Sequence, residues 1–402
     1  MADNGQRVAH GLATNDPHQL SDATRLQARR AAAQQFATLQ EIVIAARRNL
    51  SRPVWDMVSG GSDSETTLRR NRLALDSLAL RQRVLVNVSS IDTTATLLGK
   101  TLPIPVFIAP VGNFLQMADP EGVVAVARGA VAYGTEVFVS TAAKPGIEQA
   151  AAAVNVPMIF QLYVRSDRKW IEDILDRAKA AGYRALCVTV DRAYYSRRER
   201  DLISRLPVRE GGNAAFQASL TWDDMVWMKQ RMGVPLILKG IATAEDARMA
   251  VEYGADVVYV SNHGGRQLDH AQASIEVLPE VVAAVDGRAE VLVDGAISRA
   301  TDVIKAIALG ASAVGIGKLQ GWALAAAGEA GVTRVLELLE LEIKTALGLM
   351  GITSLGQLNP SWVRPARPVG LGSITSAYPV FEEQRFSPPP AGDRDRGSGV
   401  RR

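Results

Sequence analysis

Through the middle of the chain, short apolar runs alternate with amphipathic stretches. The runs lie at 106–109, 137–140, 158–161, 185–190, 235–239, 257–261, 291–294 and 313–317. Each is dominated by Val, Ile, Leu, Ala or Phe on consecutive positions, the pattern of parallel strands buried on both faces. Between them, 149–154, 171–181, 244–253, 275–285 and 300–309 gather their apolar residues on one helical face. Thr243 before Ala244-Glu245-Asp246 reads as a helix cap, and Pro120-Glu121 suits a helix start. Eight strands alternating with helices over roughly 210 residues predict a (β/α)8 TIM barrel. A doubly wound sheet is the alternative. It would use fewer strands and usually a Gly-rich first turn, and no G-x-G-x-x-G occurs.

The flanks read differently. Residues 1–20 are polar and aperiodic, and 386–402 are rich in Pro, Gly and Arg. Both are expected to be disordered extensions. That leaves one domain, 21–385, with its barrel strands at about 106–317 and a helical and hairpin cap before them.

Composition narrows the function classes. Of 402 residues 47% are apolar, enough for a full core, and 45 basic against 42 acidic residues leave a net charge of +3. So even a balance does not argue for nucleic acid as a partner. No run approaches 18 apolar residues, so no membrane span is expected. The single cysteine, Cys187, excludes an internal disulfide and sits in an apolar run, where an inert buried thiol is expected. With no secretory leader evident, a reducing cytoplasm is the expected location. One cysteine and four histidines (His10, His18, His263, His270) argue against a Cys/His metal site.

The chemistry concentrates where the strands end. The eight runs finish at Ala109-Pro110-Val111-Gly112, Ser140-Thr141, Gln161-Leu162-Tyr163, Thr189-Val190-Asp191, Lys239-Gly240, Ser261-Asn262-His263, Asp294-Gly295 and Gly315-Ile316-Gly317-Lys318. A barrel gathers these ends on one face, the face that carries active sites in this architecture. Longest is Ser261-Asn262-His263-Gly264-Gly265-Arg266-Gln267-Leu268-Asp269. Its histidine can move a proton near neutral pH, and its arginine can hold a carboxylate with a planar fork. Lys239 closes a very apolar strand and needs an anionic or acceptor partner. Gly295, Gly315 and Gly317 follow strands seven and eight, where TIM barrels commonly bind phosphate.

That nine-residue run resembles the signature of the FMN-dependent α-hydroxy-acid oxidases and dehydrogenases (glycolate oxidase, lactate oxidase, mandelate dehydrogenase), and the likeness covers roughly residues 40–360. The resemblance implies FMN held by Pro110, Val111, Gly112, Ser140, Gln161, Thr189, Lys239, Ser261, Asp294, Gly295 and Gly317, with Lys318 and Arg299 near its phosphate. It implies His263 as catalytic base, Asp191 as the carboxylate steadying its charged form, and Tyr163 bonding the oxygen at the reacting carbon. Arg266 would clamp the substrate carboxylate, with Arg198 as a second arginine at the mouth. His263 would take either the hydroxyl proton, with hydride passing to the flavin, or the α-proton. The resemblance further implies O2 or another acceptor to reoxidise the flavin, and a homo-oligomer, often a tetramer.

The chain departs from the family at several positions. The family's two phosphate-binding arginines match Ser298 and Lys318; Arg299 is adjacent to the first and would substitute only through a reshaped loop. A carboxylate-binding tyrosine matches Met57, which cannot donate a hydrogen bond, a loss of about 1.5–3 kcal/mol. Ala142 replaces a bulky aromatic and should widen the substrate pocket. Asp191-Arg192-Ala193-Tyr194-Tyr195 stands where a Thr-Pro turn is usual, and the short polar connection 200–220, with Gly211-Gly212-Asn213, reads as a mobile lid without a membrane-anchoring insert. Two other readings stay open: a related flavin enzyme with a larger, less polar, amine or peptide-derived substrate, and a catalytically silent flavin-binding scaffold.

Overall fold

A computed structural model describes residues 33–205 and 214–386, together with Gln27, Arg30 and Ala31. The expected disordered extensions, 1–20 and 386–402 apart from the helical Phe386, lie outside the described residues, as does the centre of the expected lid.

Three helices come first: α1 (Leu39–Asn49), α2 (Arg52–Ser59) and α3 (Thr66–Asp76). A short strand, β1 (Leu78–Leu80), and a hairpin of β2 (Ala95–Leu97) and β3 (Lys100–Leu102) follow. The barrel then runs β4 (Val106–Ile108), α4 (Phe114–Ala118), α5 (Val123–Tyr133), β5 (Phe138–Ser140), α6 (Ile147–Ala152), β6 (Ile159–Leu162), α7 (Arg168–Ala180) and β7 (Ala185–Thr189). It continues through α8 (Glu199–Ile203), α9 (Ala214–Ala218), α10 (Trp222–Met232), β8 (Leu236–Ile241), α11 (Ala244–Glu252), β9 (Val257–Val260), α12 (Ser274–Val285), β10 (Glu290–Val293), α13 (Ala300–Ala308), β11 (Ala313–Ile316) and the long α14 (Lys318–Met350). Last come β12 (Val363–Pro365) and α15 (Pro379–Phe386).

All eight apolar runs are strands of one sheet, ordered β4-β11-β10-β9-β8-β7-β6-β5 and parallel throughout. The sheet closes on itself where Ile108 bridges Val137, with the Ile108 N–H donating to the Glu136 carbonyl at 2.9 Å. This is the TIM barrel, and the doubly wound alternative falls. Thr243 caps α11, accepting from the Asp246 N–H. The helix expected to start at Pro120-Glu121 begins instead at Val123, because Gly122 turns the chain at φ 51°.

Aromatic rings fill the barrel. Phe107, Phe138 and Tyr259 are fully buried and contact one another, with ring centroids 4.8–5.9 Å apart. Leu97 and Leu102 of the β2–β3 hairpin join the same interior cluster and plug the N-terminal end. The plug is fastened by Arg184, whose guanidinium donates to the Leu97 and Leu98 carbonyls at 3.0 Å. Cys187 lies wholly buried in β7, and burial pushes its thiol up, the inert state expected.

The family resemblance implies N-terminal helices at the bottom and edge of the barrel, but here the α2–α3 corner crosses the C-terminal face. The Ser62 N–H donates to the Gly265 carbonyl (3.0 Å) and the Thr67 N–H to Asp269 (2.8 Å). Asn71 and Asn262 exchange two amide hydrogen bonds of 2.8 Å each. Below them the buried Arg72 forks onto both oxygens of Asp302 at 2.7 and 2.8 Å. Gly265, at φ 74°, permits the close approach, since a side-chain carbon there would lie 2.5 Å from the Leu68 backbone. Among the described residues, no helix is long and apolar enough to cross a membrane.

Candidate active site

Strands β8, β9 and β10 end in a buried polar chain. Lys239 donates to the Ser261 hydroxyl (2.8 Å), which donates to Asp294 (2.6 Å), and the Tyr259 phenol donates to the other Asp294 oxygen (2.9 Å). Burial alone would strip the Lys239 ammonium, but Asp294 and Asp191 outweigh it and hold its pKa above the ordinary value. A fixed positive charge therefore sits on the barrel floor. Beside it Gln161, wholly buried, donates to the Thr189 hydroxyl (2.8 Å). Its other atom, Oε1, is an acceptor without a partner among the described residues. Ser140 completes this layer with its hydroxyl accepting from the Ala142 N–H at 3.0 Å.

One step outward stands His263. Its backbone is left-handed (φ 59°), followed by Gly264 and Gly265 at 66° and 74°. Such a run is costly for a histidine, about 1–3 kcal/mol. The His263 N–H donates back to the Ser261 hydroxyl, and the ring sits between Asp191 and Tyr163. Nδ1 is 3.0 Å from Asp191 Oδ1 and Nε2 is 3.0 Å from the Tyr163 hydroxyl. Burial drives the His263 pKa down to about 4; Asp191 opposes the shift, while Lys239 and Arg198 add to it. The ring is neutral at neutral pH. Burial would raise the Asp191 carboxyl, yet the His263 ring and Lys239 more than offset this and hold it below its usual value. Burial raises Tyr163, so its phenol keeps its proton.

Gly240 makes the Asp191 position possible. It sits at φ 115° where the β8–β9 register shifts, and a side-chain carbon there would fall 2.6 Å from Asp191 Cβ. The sequence reading saw Gly240 only as a strand end. It missed Gln217 entirely, whose amide accepts from the Val164 N–H (2.8 Å) and donates to the Thr189 carbonyl (3.0 Å). A lone glutamine in the 200–220 connection carries no local signal of such a role. His270, just past the motif, is exposed beside the Ser64 and Thr66 hydroxyls.

Cations crowd the outer rim. One Arg266 nitrogen donates to the Met57 and Gly60 carbonyls, both at 2.7 Å, and Lys318 donates to the same Gly60 carbonyl at 3.1 Å. Arg266 first, then burial, then Arg192 pull the Arg198 guanidinium down to about 9. Burial, Arg266 and Arg198 push Lys318 well below its ordinary value, with Glu65 pulling the other way. Asp201 faces the same cluster. Groups this crowded and desolvated are short of a counter-anion.

Several expected site residues therefore sit differently from their expected roles. Met57 meets the site through its carbonyl rather than its side chain. Ala142 lies against Gly112, where an added carbon would approach its Cβ at 3.0 Å, so the ends of β4 and β5 are close and small. Pro110 and Val111 are half-buried on the same loop. Gly295 backs onto Ser274, and Gly317 faces open space. Arg299 departs from the expected phosphate site: its guanidinium forks onto Glu342 of α14 (2.5 and 3.1 Å). Nor does Ser298 turn toward a ligand, for its hydroxyl donates to the Ala296 carbonyl and its N–H to Asp302. The pull of Asp302 on the 298–299 backbone and of Glu342 on the side chain explains why Arg299 does not reach inward.

A closed parallel barrel with a buried lysine, an oriented Asp–His pair and unmatched cations on its C-terminal face defines a TIM-barrel enzyme that handles an anion. The chain belongs to the FMN-dependent dehydrogenase family, whose model matches residues 46–215 and 204–365, and it is an oxidoreductase. It is 42% identical over 348 residues to the L-lactate oxidase of Nostoc, covering 79% of this chain and 95% of that protein. It is 41% identical over 341 residues to a peroxisomal (S)-2-hydroxy-acid oxidase of Oryza sativa subsp. japonica, covering 79% and 93%. A crystal structure of mandelate oxidase with 3,3-difluoro-2-hydroxy-3-phenylpropionic acid superposes with a TM-score of 0.77 at 40% identity, over 83% of this chain and all of that one.

Proposed function

We propose that this protein oxidises a 2-hydroxy acid to the 2-oxo acid, with FMN as resident electron acceptor and O2 or another acceptor taking the electrons onward. The observation that carries the reading is the neutral, doubly held His263 beside a cluster in which the cations outnumber the acids.

The strand-end residues suit FMN. Gln161 Oε1 is an orphaned buried acceptor fit for a ring N–H, and Lys239 is a fixed cation fit for a ring edge that gains negative charge. Gly317 leaves open space, and burial with Arg266 and Arg198 disfavours the charged form of Lys318, which a phosphate beside it would restore. Ser140, Thr189, Ser261, Asp294, Gly295 and the backbone of Pro110 to Gly112 complete the cradle in this reading. With one side-chain cation where the family has two arginines, phosphate binding rests more heavily on backbone N–H groups. When bound, FMN supplies the two-electron acceptor for the substrate's α-hydrogen.

The protein's own groups do the rest. Arg266, held by the Met57 and Gly60 carbonyls, presents its remaining N–H donors to the substrate carboxylate, with Arg198 beside it. The substrate oxygen displaces the Tyr163–His263 contact and accepts from the Tyr163 phenol. His263 Nε2 then takes a proton, from the hydroxyl or from the α-carbon, and Asp191 stabilises the resulting imidazolium through Nδ1.

Anaerobic reduction tests the reading. Purified holoprotein mixed with 2-hydroxy acids, in both enantiomers and without oxygen, is expected to lose its oxidised-flavin absorbance with at least one acid. A flavin-loaded protein that none of them bleaches would sink it.

A further inference from the structure

Two arginines stand at the mouth of this site without a task in that reaction. Arg165 follows β6 by three residues and Arg192 follows β7 by three, so adjacent loops bring them together. The Arg192 guanidinium lies 4.7 Å from the centre of the Tyr163 ring and 4.4 Å from that of Tyr195. Both arginines are half-buried, and among the described residues neither is ion-paired with an acid. Arg192 Nε is shut off from water with no hydrogen-bond partner among the described residues. Arg165 feels its neighbour's charge: burial and then Arg192 lower it from its ordinary value.

Stacking between two rings explains how Arg192 is held, since cation–π contacts fix its plane. It does not explain an orphaned, desolvated N–H on a guanidinium that has a second cation nearby. Such donors are expensive to leave unmet. One carboxylate on Arg266 and Arg198 cannot answer them, because its place is beside the reacting carbon at His263. Arg192 instead lies over the face of Tyr163, whose hydroxyl marks that carbon, so it is a short side chain away.

We propose that the substrate carries a second anionic group, carboxylate or phosphoryl, at the far end of a short chain, and that Arg192 with Arg165 binds it. This rests on the hydroxy-acid reading above and gives the protein a specificity of its own.

The test uses full-length holoprotein and its Arg192→Leu and Arg165→Leu variants. Anaerobic flavin reduction is compared for 2-hydroxybutanoate, 2-hydroxybutanedioate and 2-hydroxy-3-phosphonooxypropanoate. At least one dianion is expected to exceed the monoanion by about tenfold or more in kred/Kd, and that ratio should fall toward one in Arg192→Leu. Which dianion leads distinguishes carboxylate from phosphoryl. A monoanion that matches both dianions, or a ratio unmoved by both substitutions, overturns the proposal. Calorimetric binding of pentanedioate against pentanoate, neither of them oxidisable, separates the two ideas. If no hydroxy acid reduces the flavin but the pentanedioate preference exists and vanishes in Arg192→Leu, the oxidation reading fails and the anion site stands. Equal binding of the pair removes the anion site as well.

Discussion

A histidine that is neutral well into acid is a base prepared in advance. Because the folded His263 pKa is lowered to about 4, its imidazole is unprotonated at every pH above that. The acid limb of kcat/KM, which reports the free enzyme, is therefore expected near pH 4, where an ordinary histidine would place it near about 6.5. A pH profile of single-turnover flavin reduction checks this. Asp191→Asn keeps the shape but removes the charge that steadies the imidazolium, so the reduction rate should fall by about 10²–10⁴ with substrate affinity changed far less. Lys239→Met leaves Asp294 buried without its cation; a loss of about 3–5 kcal/mol in stability and reduced FMN retention are expected, read by denaturant melts and bound-flavin content. At this scale much was legible in the sequence. The run from Ser261 to Asp269 displays residue types whose chemistry is intrinsic. Hidden were contacts made to backbone carbonyls, such as Arg266 on Met57 and Gly60, and the outward turn of Arg299, because both depend on partners remote in sequence.

Among elements, the barrel strands were the most legible part, since burial on both faces writes itself as an unbroken apolar run. Their ends shifted by a residue or two. Pro120 misled by three residues because Gly122, through its positive φ, ends the turn and opens α5. The placement of α2 and α3 was not legible, for an amphipathic helix announces that it has a face to bury but not which end of a barrel will receive it. Two glycines decide how these elements meet. Gly240→Ala would press on Asp191 and Gly265→Ala on the Leu68 backbone, each in a left-handed conformation. Gly240→Ala should displace the Asp191 carboxylate from His263 and cut turnover while FMN remains bound, visible as slower reduction at unchanged flavin content. For Gly265→Ala a loss of about 1 kcal/mol or more is expected in thermal or denaturant unfolding.

Seen as a whole, the molecule is closed at both ends by segments that precede the barrel in sequence: the β2–β3 hairpin below and the α2–α3 corner above. The corner is joined to its seat by a buried ion pair. Arg72→Met strands the Asp302 carboxylate and should cost about 3–5 kcal/mol, whereas replacing both partners by apolar residues should cost much less; chemical denaturation of the single and double variants tests the difference.

The corner's long reach also bears on how the chain comes to be folded. Its hydrogen bonds to Asn262 and Asp269 join residues separated by 191 and 202 positions, and the Arg72–Asp302 pair spans 230. During synthesis α2 and α3 emerge from the ribosome long before their seat exists, and closing so wide a loop is slow. They must wait, apolar faces unmet, until the sixth and seventh strands have joined the sheet. The docking of these early helices is then a late event of folding, and the same event roofs the finished active site.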